Sequence, residues 1–266
     1  MIAQVVLTSE EAKRLIAKGV AELPEVKRAK EDGIIFVARG TTNAYVLEEL
    51  LGEEIEKEKY SVGMMLGDRF CINREMIPEV AIIKGEPARM SADEVIGKMD
   101  SDDVFIKGAN LIDKNLIPGV LMANERGGTV GKTLATIYAR GITLIVPASI
   151  MKFLPVDLRE LVSSSGITRV EYSTGLPLGI SPLYGKLITE VSSLELLFNV
   201  RALPLGFSDL NGSNIALSIE GEEEYVRRAI DLIREIKGER RVEWRPKECM
   251  RCDEETCFWT GSERPY

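Results

Sequence analysis

Residues 103–133, DVFIKGANLIDKNLIPGVLMANERGGTVGKT, decide the fold class. Val104, Phe105 and Ile106 form a short apolar run that ends in a polar loop carrying Gly108. A second loop, Gly127-Gly128-Thr129, opens a helical stretch over 130–140 that Gly141 stops, and ITLIV at 142–146 is again a buried strand. Such alternation predicts a mostly parallel, Rossmann-like sheet with helices on both faces. Ligands of open α/β sheets sit in the crevice beyond the carboxyl ends of the strands, where both loops fall.

The same strand–loop–helix unit lies upstream. GIIFVA at 33–38 runs into Gly40-Thr41-Thr42-Asn43, and the helical segment 44–51 ends at Gly52. Before it, Thr8 and Glu11 have capping-box spacing for a helix over 9–20, and Pro24 opens a shorter one over 24–31. EVAIIK at 79–84 is strand-like among glycines and prolines that suggest hairpins, and Ser91 caps a short helix. After about Gly185 the pattern changes. A strand over 186–190, a helix over 192–199, a strand pair 202–207 and 214–219 joined through Asn211-Gly212, a helix over 222–237 and a strand over 240–244 follow the ferredoxin-like order. The expected organisation is a Rossmann-like domain over 1–184, a ferredoxin-like α+β module over 185–244 and a cysteine-bearing tail over 245–266.

The chain's 266 residues, 45% apolar and 29% charged, suit an ordinary globular protein. A net charge of −8 with no Lys/Arg-rich block argues against nucleic acid as a partner. No apolar run reaches the roughly 18 residues of a membrane span. The N-terminus turns acidic where a signal peptide needs its cleavage site, so the expected location is the cytoplasm. The abundance of Glu, Lys and Arg suits a thermophile. Assembly into a homo-oligomer is left open. Histidine is absent, which removes His-based triads and His-ligated zinc and leaves proton transfer to Asp, Glu, Lys, Tyr or Cys.

Backbone N–H groups at a glycine turn that opens a helix bind anions, and threonine hydroxyls add donors. Gly40, Thr41, Thr42 and Asn43 have those parts, as do Gly127, Gly128 and Thr129, with Lys132 one turn further on. Lys107 and Asn110, at the end of the strand over 104–106, are expected to face the same cleft, Lys107 toward a phosphate or carboxylate and Asn110 as an orienting amide. Asp113 is the carboxylate best placed for acid–base work, with Glu125 and Arg126 as further loop candidates; the alternative is a strand-end loop in which Asn110 and Asp113 cap turns. The GKT at 131–133 suggests a nucleotide loop, yet G-x-x-x-x-G-K-[ST] needs a glycine where Arg126 stands, so no nucleotide cofactor is assigned.

These motifs together resemble the superfamily of ribose-5-phosphate isomerase A, glucosamine-6-phosphate deaminase and the CoA transferases. VARGTTNAYVLEEL at 37–50 is similar to its strand, G-x-G-[ST]-T loop and helix, with Ala38 in place of the first glycine. KGANLID at 107–113 is similar to the isomerase's D-G-A-D-E-[VI]-D, and Gly127-Gly128-Thr129 to its K-G-G-G-G-A loop. The resemblance implies the fold and a phosphorylated-sugar or acyl/CoA-type substrate. Lys107 and Asn110 stand where the isomerase has acids, and its catalytic glutamate has no counterpart near Lys132-Thr133, so ribose-5-phosphate isomerase activity is not expected. The expected function is a small-metabolite enzyme with Lys107 and Asp113 as catalytic residues; the alternative is a non-catalytic metabolite sensor using the same anion pocket.

Cys249, Cys252 and Cys257 have C-x2-C-x4-C spacing, which suits zinc or an iron–sulfur cluster, with Cys71, Asp253 or a partner molecule as a fourth ligand. A redox pair or disulfide, and inert thiols, are the alternatives. Trp244 and Trp259 are expected to pack the tail onto the body.

Overall fold

The computed structural model describes residues 1–73, 75–209, 213–243 and 248–261. Strand β1 (Ile2–Thr8) leads into α1 (Ser9–Ala21), where Thr8 and Glu11 close the predicted capping box. α2 (Pro24–Asp32) starts on its proline, and β2 (Ile34–Val37) feeds α3 (Thr41–Leu51), ended by Gly52 at φ 71°. Two hairpins follow, β3 (Gly63–Leu66) with β4 (Arg69–Ile72) and β5 (Val80–Ile83) with β6 (Glu86–Arg89). Ser91 caps α4 (Ala92–Ile96). The stretch 103–133 gives β7 (Val104–Ile106), β8 (Leu111–Ile112), β9 (Pro118–Met122) and the start of α5 (Gly128–Arg140). Then come β10 (Thr143–Pro147), α6 (Leu158–Ser163), β11 (Gly179–Pro182), β12 (Lys186–Ile188) and α7 (Glu190–Phe198). β13 (Arg201–Ser208), β14 (Asn214–Glu220) and α8 (Glu223–Glu235) follow.

The main sheet has the order β12-β10-β7-β2-β5-β6, its first four strands parallel and the hairpin β5–β6 antiparallel at one edge. Period-two alternation sends Ile35, Val37, Val104, Ile106 and Ile145 to the face covered by α1, α2 and α3. Phe36, Phe105, Leu144 and Val146 pack on the other face against α4 and α5, with the Phe36 and Phe105 rings 4.9 Å apart. Burial on both faces explains why these strands are continuous apolar runs. The α/β class with a mostly parallel sheet is therefore as expected. No helix among the described residues is long and apolar enough to cross a membrane.

The small α+β module draws on different strands from those expected. The segment Lys186–Ile188 pairs in parallel with β10, because Ile188 belongs to the main core beside Ile145. Residues 240–243 form no strand, and Trp244 lies outside the described residues, as does the Asn211-Gly212 link. In their place β1 pairs antiparallel with β14 along its whole length, giving a sheet β1-β14-β13. Leu7 and the half-buried Ala3 and Val5 supply its inner face, against Leu217, Ile219, Val226 and Ile233. A further sheet, β11-β9-β8, walls the carboxyl ends of the main strands.

Candidate functional site

Register places the site. β2 and β7 are parallel neighbours with Val37 opposite Ile106, and β10 flanks β7 with Ile145 opposite Ile106. The loops leaving their carboxyl ends are therefore adjacent. The Ala38 N–H donates to the Ile106 carbonyl at 3.0 Å, and the Lys107 N–H to the Ile145 carbonyl at 3.0 Å. Tyr60, fully buried, fixes the first loop: its hydroxyl donates to the Val37 carbonyl (2.5 Å), and its own carbonyl accepts from the Gly40 N–H (2.8 Å).

Both glycine loops open on one cavity of about 410 Å³. Gly40, Thr41 and Thr42 line it from one side, Gly127, Gly128 and Thr129 from another, and Lys107 and Asn110 from the end of β7. The hairpin β3–β4 supplies an apolar wall through Met65, Phe70 and Ile72, with Leu176 beside it. Three cations not anticipated from the sequence join Lys107: Lys13 from α1, Arg39, and Lys152 just past β10. Among the described residues the lining contains no Asp or Glu.

The amines are shaped by enclosure. Burial pushes the Lys107 amine down to about 8, with the Glu79 charge pulling the other way, and its Nζ donates to the Gly108 carbonyl at 3.3 Å. Lys152 is also lowered to about 8, first by burial and then by the positive charges of Lys13 and Lys107, against the pull of Glu190; its Nζ donates to the Ala109 carbonyl at 2.5 Å. Lys13 is lowered by burial despite Glu10 at 3.4 Å. Glu190 is fully buried, which raises its pKa against hydrogen bonds from the Ser149 hydroxyl (2.6 Å) and the Ile150 N–H (3.1 Å).

The helices that start at this cavity differ from the rest. Among the described α-helices, α3 and α5 alone begin with neither a side-chain cap nor an acidic residue in the first turn. Their N-terminal N–H groups lack the side-chain oxygen that elsewhere satisfies them, and both helix dipoles present their positive ends to the lining.

Several predicted residues lie elsewhere. Asp113 is fully buried outside the cavity and organises a turn, accepting from the N–H groups of Asn115 (2.8 Å), Ile117 (2.8 Å) and Leu158 (3.1 Å) and from Asn115 Nδ2 (3.2 Å). Burial alone would raise its pKa, but those donors hold it below the usual carboxylate range. A carboxylate saturated by donors and sealed from the pocket is a structural device, which corrects its expected role as acid–base. Lys132 projects to the surface, where it pairs with Asp93. Glu125 and Arg126 are exposed and outside the lining. Asn43 is fully buried beneath the first loop, donating from Nδ2 to the Ala38 carbonyl at 2.6 Å, and so supports the site without lining it. Asn110 accepts from the Leu121 N–H at 3.0 Å.

The tail closes against the same hairpin. Cys71 on β4 and the tail residues Cys249, Cys252 and Cys257 are half-buried thiols around one small space. Burial raises the Cys71 thiol; Arg69 opposes the rise and the other three cysteines add to it. Trp259 is 2% exposed, and the expected packing role fits it.

No family model matches the chain, and no curated protein matches it. Among solved structures, a D-ribose-5-phosphate isomerase in complex with phospho-erythronic acid is similar at 16% identity and a TM-score of 0.32, with 85% of each chain covered. Overlap at that level is a distant fold likeness, and it carries no weight for activity.

Proposed function

We propose that this chain binds a small phosphorylated metabolite in the cavity between residues 40–42 and 127–129, as an enzyme whose acid–base group is the Lys107 amine. The observation that carries this reading is a lining with four cations, two uncapped helix starts and, among the described residues, no carboxylate, in a chain of net charge −8. Converging amines and helix N-termini stabilise a multiply charged anion. Lys13 and Lys152 hold the anionic group with the loop N–H groups, while Asn110 orients the remainder of the molecule. An amine held near 8 exchanges a proton at neutral pH or adds to a carbonyl. A lining without an acidic side chain among the described residues supports the expectation that ribose-5-phosphate isomerisation is not the reaction. Within the resembled superfamily this chain is then a remote, cytoplasmic member with lysine chemistry.

The same observation favours a second reading, a sensor that binds the metabolite and does no chemistry. Thermal-shift screening against inorganic phosphate, phosphorylated sugars, nucleotides and CoA esters tests both. A ligand at 100 times its Kd stabilises by about 2.7 kcal/mol. Stabilisation by a phosphorylated sugar that disappears in a Lys107→Met, Lys152→Met double variant is the expected result. No shift from any compound, or a shift unchanged in that variant, would overturn the binding reading. Binding without turnover would choose the sensor.

A further inference from the structure

We propose that Cys71, Cys249, Cys252 and Cys257 together bind one zinc-class divalent ion as a tetrathiolate, clamping the tail onto the β3–β4 hairpin. The four thiols come from opposite parts of the chain, yet they line one space of about 20 Å³. That volume holds about one water-sized sphere, room for a single ion. The backbone brings them there from two directions. In the tail, the Cys252 N–H donates to the Cys249 carbonyl (3.1 Å), the Cys257 N–H to the Glu254 carbonyl (3.1 Å) and the Gly261 N–H to the Cys249 carbonyl (2.9 Å), which folds the C-x2-C-x4-C segment on itself. Gly175 then ties tail and hairpin together. Its carbonyl accepts from the N–H of the tail residue Phe258 (3.0 Å). Its neighbours bond to β4, the Phe70 N–H donating to the Thr174 carbonyl (2.9 Å) and the Leu176 N–H to the Phe70 carbonyl (3.2 Å). Only glycine fits at 175, because φ is 108° and a Cβ would stand 2.2 Å from the Phe70 oxygen.

A second observation points to the same ion. Arg69 lines this space, and its Nε is buried with no hydrogen-bond partner. A buried cationic N–H left unmatched is costly. A divalent ion held by four thiolates carries a net charge of −2, and a sulfur acceptor beside Arg69 would satisfy that N–H as an outer-shell partner. Among the described residues no three such side chains are drawn to metal-binding spacing. Binding therefore requires the sulfurs to close to about 2.3 Å from the ion by side-chain rotation, with the thiol protons released to solvent.

The test is zinc content of the full chain purified without chelator and with no metabolite present, so its outcome is independent of the cavity's ligand. Elemental analysis is expected to give one zinc per chain, released by thiol modification, and X-ray absorption to show four sulfur neighbours. Cys71→Ser is expected to lose the ion or hold it at least 10-fold more weakly, and Arg69→Met to weaken it about 10- to 100-fold. Should Cys71→Ser not fold, the sulfur count in the unmodified chain still decides whether Cys71 is a ligand. Metal-free protein with a Cys249–Cys252 disulfide, an iron–sulfur chromophore, or three sulfur neighbours would each overturn the proposal.

Discussion

Lys107 shows what enclosing an amine costs the fold. Its amine is enclosed at the end of a buried strand, and the pull of Glu79 does not offset the burial that lowers it to about 8. Lys107→Met is therefore expected to weaken binding of a phosphorylated ligand about 10- to 100-fold, the size of a lost charge-assisted hydrogen bond. The same change should raise the ligand-free Tm by about 2–4 °C, since removing an enclosed charge relieves about 1 kcal/mol. Calorimetric titration and thermal melts on one pair of proteins read both signs; lower Tm together with full affinity would contradict the assignment. Asp113 behaves oppositely. Asp113→Asn should cost about 1–3 kcal/mol and leave ligand affinity unchanged, because three backbone N–H groups lose a charged acceptor that lies outside the cavity. Its folded pKa lies below the ordinary aspartate value of 3.8, so its contribution is present above that pH and is lost as pH falls through the lower, folded value. Acid titration of stability should accordingly be flatter below about pH 4 in the variant, and an unchanged acid limb would count against this role.

At the scale of elements, the uncapped starts of α3 and α5 separate the two helices that open on the cavity from those finished for stability. Thr129→Asp places a carboxylate in the first turn of α5. It should stabilise the helix by about 0.3–1 kcal/mol and weaken binding of inorganic phosphate at least 10-fold. Denaturant unfolding beside phosphate titration checks this, and undiminished phosphate binding would show that α5 does not face the anion. Most elements were legible in the sequence because their ends are marked: the Thr8–Glu11 box, Ser91, Pro24 and the glycines at 52 and 141. β1 was not legible, since its partner is at the far end of the chain and only Leu7 of the strand is fully buried. The two glycine loops could be found because they follow buried strands. Lys13 and Lys152 could not, being single lysines among 34 basic residues, although Lys152's place just beyond a strand end was a usable signal. The GKT sequence misleads for a physical reason: a Cβ at Gly131 would lie 1.8 Å from the Arg126 oxygen, so that glycine serves helix–loop packing inside α5 and wraps no phosphate.

Across the whole molecule, a net charge of −8 surrounds a cationic cavity, and the balance depends on pH. Lys107 and Lys152 titrate near 8 when folded, against 10.5 for the free side chain. Between those values the unfolded chain binds more protons, so ligand-free stability rises with pH through that window. Anion affinity moves the other way, constant below about pH 7 and falling as pH passes 8, because a bound anion restores the charge on both amines. Calorimetry at pH 8 in buffers of different ionisation enthalpy should then show net proton uptake on binding, and none would remove the two amines from the site. One wall joins the two sites. Phe70, Cys71, Ile72 and Leu176 face the cavity between the glycine loops on one side and the small space of the tail cysteines on the other. Whatever fixes that wall for one occupant spares the other part of its ordering cost, and reciprocity makes the two effects equal in size. With zinc in place the tail would thus set the threshold concentration of the proposed metabolite, and an oxidant that strips the thiols would reset it through the wall that Cys71 shares with the cavity.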